Sequence, residues 1–176
     1  MNQVFIQYHK TRFGELILGA FKGRLCMLDF RYRKMRPAID NRIKSFFNAE
    51  FTLRDDEILV QTRKQLDEYL SGDRTRFDIP FLMAGTDFQK TVWNALLQVP
   101  YGKTASYLEL AKAIDNEKAV RAVAVANGAN AIAIIIPCHR IIGNNGELVG
   151  YGGGLAIKKR LLDLEQGLLS MFDYPL

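Results

Sequence analysis

The sequence predicts an α+β protein. A small strand-rich N-terminal domain spans residues 1–82, and a C-terminal helical domain with a (winged) helix-turn-helix spans 83–176. Three observations lead there. The first thirty residues hold three short apolar runs separated by turn residues. The second half opens two helices with capping boxes. Between the halves, Pro80 and Gly85 break the pattern and place the boundary at residues 80–86. A chain of 176 residues is long enough for one small domain beside a slightly larger one.

The elements follow in order. Val4 to Tyr8, Glu15 to Phe21 and Arg24 to Phe30 read as strands, with Lys22-Gly23 as the two-residue turn between the second and third. The basic stretch Arg31-Tyr32-Arg33-Lys34-Met35-Arg36-Pro37 reads as a solvated loop, with a phosphate-contact patch as the alternative. Asp55 to Leu70 carries Ile58, Leu59, Thr62, Leu66, Tyr69 and Leu70 near one helical face, and Gly72 stands at the stop. Arg76 to Pro80 is extended, as the residue before a proline prefers.

Thr86 and Gln89 form a capping box ahead of Phe88, Val92, Trp93 and Leu96, and Pro100-Tyr101-Gly102 ends that helix. Ser106 and Glu109 form the second, before Leu108, Leu110, Ala111 and Ile114. A further helix runs from Glu117 to Asn127 and stops at Gly128. Two short helices joined by a tight turn predict a helix-turn-helix whose second helix meets DNA. Ala131 to Ile136 is a continuous apolar run and reads as a buried strand. Pro137-Cys138-His139-Arg140 follows, then the loop Gly150-Tyr151-Gly152-Gly153-Gly154, then an amphipathic helix from Leu155 to Gln166.

Hydrophobic residues make up 48% and charged residues 24%, a globular balance that excludes bulk disorder. No apolar run approaches the roughly 18 residues of a membrane span, so no membrane partner is expected. The first residues lack a charged region leading into a long apolar core, so no secretory signal is expected. Two cysteines cannot build a disulfide framework, which points to a reducing compartment: the cytoplasm, or the nucleus in a eukaryote. The two cysteines and two histidines lack zinc-site spacing, so no metal is expected. A formal net charge of +5 fits nucleic-acid binding without requiring it.

Cys138 is the candidate nucleophile. The thiolate is the reactive form, and an ordinary cysteine, with a pKa of about 8.5, is mostly thiol at neutral pH. His139 is the adjacent base. Neighbouring side chains diverge, so a bridging water is a route for the proton. Glu165 on the last helix is a carboxylate able to orient the imidazole. The plain alternative is a small buried residue after a strand.

Ile136-Pro137-Cys138-His139-Arg140-Ile141 resembles the active-site motif of the O6-alkylguanine-DNA alkyltransferases. The resemblance extends from Phe88 through Glu165. It includes Tyr101-Gly102-Lys103, Ser106-Tyr107, Ala119-Val120-Arg121-Ala122-Val123, Asn130, the glycine loop at Tyr151 and Leu161 to Glu165. It implies direct-reversal DNA repair: one irreversible transfer of an alkyl group from O6-alkylguanine, and from O4-alkylthymine, to Cys138. By the same resemblance His139 is a water-linked base and Glu165 its partner. Tyr107 donates a proton to the leaving guanine, and Asn130 braces the turn around the cysteine. Ala131 follows Asn130 where the family commonly has proline. Arg121 enters the duplex where the guanine was, with Ala122, Ala126, Asn127 and Tyr107 also at the DNA. Tyr151, Gly152, Gly153 and Ile141 line the guanine pocket. No cofactor is implied. The partner is double-stranded DNA, held by the minor groove without sequence preference, and the protein is expected to be a monomer.

The small side chains around Arg121 support that reading, because a major-groove reader presents Arg, Asn or Gln to base edges. Small residues let a helix lie close to a minor groove, and Arg121 can fill the gap left by a rotated guanine. Three other readings remain open. A cysteine hydrolase on Cys138, His139 and Glu165 would turn over. A lesion-sensing relative would lack the cysteine. A helix-turn-helix regulator would be poorly served by an alanine-rich helix. No metal-binding region precedes Met1, so neither phosphotriester repair nor transcriptional control is expected.

Overall fold

The computed structural model describes residues 1–169. The chain divides into two compact units, Met1–Gly85 and Thr86–Leu176. In the first, β1 (Asn2–Thr11), β2 (Gly14–Phe21) and β3 (Arg24–Phe30) form an antiparallel meander. Lys22 and Gly23 make the β2–β3 turn with φ of 49° and 78°, the positive pair that a type I′ hairpin needs. Helix α1 (Arg36–Phe47) then carries the chain to β4 (Ala49–Leu53), which pairs parallel to β1, giving the order β3-β2-β1-β4. Helix α2 (Glu57–Leu70) is capped by the Asp56 side chain and packs its Leu59, Leu66 and Tyr69 face on the sheet.

The basic stretch after β3 is a turn through Met35 with Tyr32, Lys34 and Met35 exposed, but Arg33 and Arg36 turn inward and the stretch leads into α1; α1 and β4 occupy residues that the sequence pattern left unassigned. The cause is Asp29, which is fully buried at the end of β3. Its carboxylate receives Arg36 Nη1 at 2.8 Å and Arg33 Nη1 at 3.1 Å, and Arg36 Nε also reaches Asp40 at 2.7 Å. A carboxylate out of water needs such partners, and a charge pattern along the chain does not show where they go.

The second unit begins with α3 (Asp87–Leu96), whose Thr86–Gln89 capping box is formed in both directions. Next come the two-residue β5 (Ala105–Ser106) and α4 (Tyr107–Ala113), with the Ser106–Glu109 box likewise complete. A short 3-10 turn, Glu117–Ala119, leads into α5 (Val120–Gly128), which packs on α4 and α3. This α4–turn–α5 unit is the helix-turn-helix. Trp93 Nε1 donates to the Ala126 carbonyl at 2.8 Å and ties α3 to α5 in the core.

A 3-10 turn, Cys138–Arg140, and β6 (Ile141–Ile142) follow, and β6 pairs parallel with β5. This ladder sets the first residue of α4, Tyr107, beside the Cys138 turn. Helix α6 (Leu155–Glu165) closes the unit. No helix among the described residues is long and apolar enough to cross a membrane.

Residues 131–136 are buried as expected, apart from half-buried Ile135, but they are not a strand. They form tight turns, with an isolated bridge between Ala133 and Ile136 and with Ile134 at φ 73°. An apolar run marks burial, but periodicity cannot distinguish a buried strand from a buried turn.

The Asp29 cluster yields a stability prediction. Asp29→Ala leaves two guanidinium groups at a dry site without their shared carboxylate, at a cost of about 3–5 kcal/mol. Thermal and urea unfolding should show that loss. A variant as stable as the parent would mean that the arginines are satisfied without Asp29.

Candidate active site

Cys138 is presented by a knot of turns, and Asn130 is the pin. Its Nδ2 donates to the Ile136 carbonyl at 2.8 Å, and its Oδ1 accepts from the Ile132 amide at 3.0 Å. The Cys138 amide donates to the same Ile136 carbonyl at 2.8 Å. Both halves of a buried carboxamide are therefore used to hold the peptide two residues before the cysteine. Ile134 adopts left-handed backbone that a β-branched residue enters only when its surroundings dictate it.

Behind the cysteine lies a charge relay of buried groups. His139 is fully buried, and its Nε2 lies 2.7 Å from Glu165 Oε1. Arg140 Nε lies 2.8 Å from each Glu165 oxygen, and Arg140 Nη1 donates to the Val99 carbonyl at 2.7 Å. Burial alone would raise the Glu165 pKa, but hydrogen bonds and positive charge from His139 and Arg140 outweigh it and bring it down to about 2. Burial holds His139 below its ordinary value, helped by Arg140 and Lys158 and opposed by Glu165. At neutral pH the ring is neutral. Because the carboxylate can only accept, the proton sits on Nε2 and Nδ1 is the basic nitrogen. That Nδ1 is buried and accepts no hydrogen bond from the described protein groups. His139 therefore has an unused basic site and makes no direct hydrogen bond to Cys138.

Tyr107 stands at the start of α4, half-buried, with its hydroxyl donating to the Val149 carbonyl at 3.3 Å. Burial and the nearby Cys138 raise its pKa, while a hydrogen bond from Asn127 lowers it, so it stays protonated at neutral pH. The Tyr151 ring meets His139 edge to face, with centroids 6.4 Å apart. Gly152 and Gly153 form the centre of a turn closed by the Gly154 amide on the Tyr151 carbonyl at 3.0 Å. Ile141, expected to line the pocket, is fully buried, and its carbonyl accepts from Lys158 Nζ.

Lys158 was not anticipated. It is fully buried on α6, and its Nζ donates to the carbonyls of Ile141, Val149 (2.9 Å) and Gly150 (3.2 Å). Burial lowers its pKa to about 8, against an opposing pull from Cys138. A single cation thus fastens the 149–150 loop to the strand that follows Cys138. The signal was in the sequence: Leu161, Leu162 and Glu165 lie three, four and seven residues on, so Lys158 occupies the buried stripe of its helix. Glycine is also required at Gly102, where φ is +76° and a Cβ would lie 3.1 Å from the Glu165 carbonyl oxygen.

On α5, Arg121, Ala122, Val125 and Gly128 are exposed. Ala126 and Asn127, expected at the DNA, turn inward and are 2% and 5% exposed. Their side chains pack within the domain because the helix faces α3 and α4 on that side. Among the described residues, no group of three or more His, Cys, Asp or Glu is placed to hold a metal.

Residues 4–83 match the family model of the 6-O-methylguanine DNA methyltransferase ribonuclease-like domain, and residues 87–167 that of its DNA binding domain. The chain is 51% identical over 113 residues to the methylated-DNA–protein-cysteine methyltransferase of Methanosarcina acetivorans, covering 64% of this chain and 72% of that one. It is 43% identical over 159 residues to the Methanosarcina barkeri protein of the same name, covering 89% and 93%. The crystal structure of Mycobacterium tuberculosis OGT in complex with DNA is similar at a TM-score of 0.77, with 38% identity and 94% of each chain covered.

The acid limb of stability follows from the relay. Glu165 has a folded pKa of about 2 against an ordinary 4.5, so the unfolded chain takes up that proton first as pH falls. Its contribution is complete above about 4.5 and is lost toward about 2. His139 acts in the same direction below 6.5, because its folded value is also depressed. Glu165→Gln should melt lower than the parent at neutral pH, and its melting temperature should decline less steeply in acid. An acid limb as steep as the parent's would show that Glu165 is not the group being titrated.

Proposed function

The chain belongs to the 6-O-methylguanine DNA methyltransferase family, and on that premise we propose that Cys138 is the residue that accepts the alkyl group. The protein is a methylated-DNA–protein-cysteine methyltransferase: it binds DNA and moves an alkyl group from O6-alkylguanine to a cysteine of its own. The observation that carries the assignment of Cys138 is the basic Nδ1 of His139, left over beside the cysteine while Nε2 is held by Glu165.

The chemistry runs from these residues. The Cys138 proton passes to His139 Nδ1 through a water molecule, and the imidazolium is stabilised by Glu165. The thiolate attacks the alkyl carbon, the carbon–O6 bond breaks, and the electron pair stays with guanine. Tyr107, protonated at neutral pH, gives its hydrogen to a ring nitrogen of that leaving base. The product is a thioether, which no side chain of the site can hydrolyse, so each molecule acts once. O4-alkylthymine presents the same alkyl–oxygen bond and is a second substrate. Asn130 keeps the cysteine turn in place. Tyr151, Gly152 and Gly153 form the lip of the base pocket.

DNA is engaged through the exposed face of α5. That face offers Arg121 among Ala122, Val125 and Gly128, and its one asparagine, Asn127, is turned inward. It lacks the side chains that read base edges, so binding is independent of sequence. Small residues suit a close approach to the minor groove, with Arg121 filling the space of the extruded guanine. The second unit carries both site and helix, and the protein acts as a monomer in a reducing compartment.

Two experiments test this. Cys138→Ser should lose transfer and keep DNA binding, and mass spectrometry of the parent after methylated DNA should show one methyl, on Cys138. Cys26 is no competitor: it is fully buried, and burial pushes its thiol up to about 12. A methyl on Cys26, or more substrate consumed than protein present, would overturn the single-use mechanism. Arg121→Ala should slow repair of duplex DNA by roughly 10–100-fold, a part of the few-kcal/mol cost of extruding a base, and leave reaction with free O6-benzylguanine unchanged. Equal losses on both substrates would place Arg121 in the chemistry or the fold.

A further inference from the structure

Lys158 is fully buried on α6, and burying an ammonium costs more than burying a hydrocarbon of the same length. Packing of the helix does not require the charge, since Leu161 and Leu162 on the same stripe are apolar. The ammonium has three hydrogens, and each goes to a backbone carbonyl: Ile141, Val149 at 2.9 Å and Gly150 at 3.2 Å. All three acceptors border the cysteine site. Ile141 opens β6 directly after the Cys138 turn, and Val149 and Gly150 lead into the glycine loop that carries Tyr151. The Val149 carbonyl is shared. It also accepts from the Tyr107 hydroxyl at 3.3 Å, a longer bond than the one from Lys158. Gly150, at φ +56°, passes so near that a Cβ there would lie 3.9 Å from the Tyr107 oxygen. Tyr107 is tied on its backbone side as well, because β5, which ends at Ser106, pairs with β6. The loop from Gly143 to Leu148 is largely exposed, so the chain alone does not fix where Val149 returns. Lys158 closes that circuit, from β6 through β5 to Tyr107, then to Val149 and back to β6.

We propose that Lys158 is the positioning residue of the pocket loop: its ammonium ties Val149 and Gly150 to β6, so that Tyr107, the Tyr151 lip and Cys138 keep one spacing. This deepens the reading of Tyr107 as the proton donor and of 151–153 as the lip, and rests on it. Lys158 takes the stronger share of the Val149 carbonyl. The Tyr107 hydrogen is therefore held loosely and turns to the entering base, while the oxygen that carries it stays in place. Lys158 acts through these backbone groups. The titratable groups it faces are Cys138, whose negative charge favours the ammonium, and His139, whose protonation the ammonium opposes. Arg140 does not substitute for it, since its Nε and Nη1 are taken by Glu165 and the Val99 carbonyl.

Lys158→Met keeps the length of the side chain and removes its donors. Single-turnover transfer at saturating methylated duplex should slow about tenfold, the worth of a hydrogen bond to a charged group. Duplex affinity should not change, because a buried ammonium offers nothing to DNA. In the Tyr107→Phe background the same change should cost less, since the acid held by the loop is gone. A folded Lys158→Met protein as fast as the parent overturns the proposal. So does a parallel loss of duplex affinity, or an equal cost in both backgrounds, either of which would make Lys158 a general support of the fold. Tyr107→Phe as fast as the parent sinks the proton-donor reading instead, whatever Lys158→Met does. The parent protein supplies a second test that no folding defect can blur. Burial lowers the Lys158 pKa to about 8 from an ordinary 10.5, so the ammonium becomes an amine with one hydrogen fewer as pH rises through about 8. The carbonyl carbon NMR shifts of Ile141, Val149 and Gly150 should move together with the Lys158 Cε resonance through that titration. If Cε titrates while the three carbonyls stay level, the ammonium does not hold the loop and the proposal falls.

Discussion

The candidate site depends on one buried carboxylate. Glu165, at the end of α6, holds His139 through one oxygen and Arg140 through both. Arg140 in turn fastens the Val99 carbonyl, so the residues after α3, the cysteine turn and the last helix meet at a single charge. Helix α6 carries a second tether one face-repeat earlier, where Lys158 gathers Ile141, Val149 and Gly150. Without Glu165, His139 Nε2 and Arg140 Nε would lie buried without the oxygens that accept from them, a far greater loss than any one bond gained. Helix α6 therefore fixes the groups behind Cys138, while Asn130 fixes the turn that carries it.

The same arrangement sets the electrostatics. His139 is neutral, Arg140 and Lys158 are cations, and Glu165 is the anion shared between His139 and Arg140. The buried surroundings of Cys138 carry one more positive charge than negative, the charge that a thiolate would balance in a place where water screens little. Tyr107 feels the opposite pressure. Burial and the cysteine both favour its neutral form, which in the proposed mechanism keeps Tyr107 a protonated acid while His139 activates the nucleophile.

Much of this was legible along the chain. Turn residues and hydrophobic runs located the meander, because a two-residue positive-φ turn admits few sequences. The two capping boxes located α3 and α4, because unsatisfied amides at a helix start demand side-chain partners at fixed spacing. What failed was whatever depended on distant partners. Helix α1 and β4 went unassigned because the anchor of α1, Asp29, lies on another element. The 131–136 run was taken for a strand because its pattern reports burial, and the pin that bends it is one side chain, Asn130.

By itself the sequence determined the α+β class, the three meander strands and the two capped helices, because local propensity travels with the chain; the Cys-His-Glu-Tyr set of the proposed mechanism was named through the family resemblance. The tertiary structure decided which way each side chain points. It turned Asn127 and Ala126 inward and left Arg121 outside, since the facing helices of α5 are known only once the chain has folded. It placed Lys158 under the pocket loop, and it chose which histidine nitrogen is basic by putting Glu165 against the other. These are distances between residues far apart in sequence, and they come into being only with the packing that closes them.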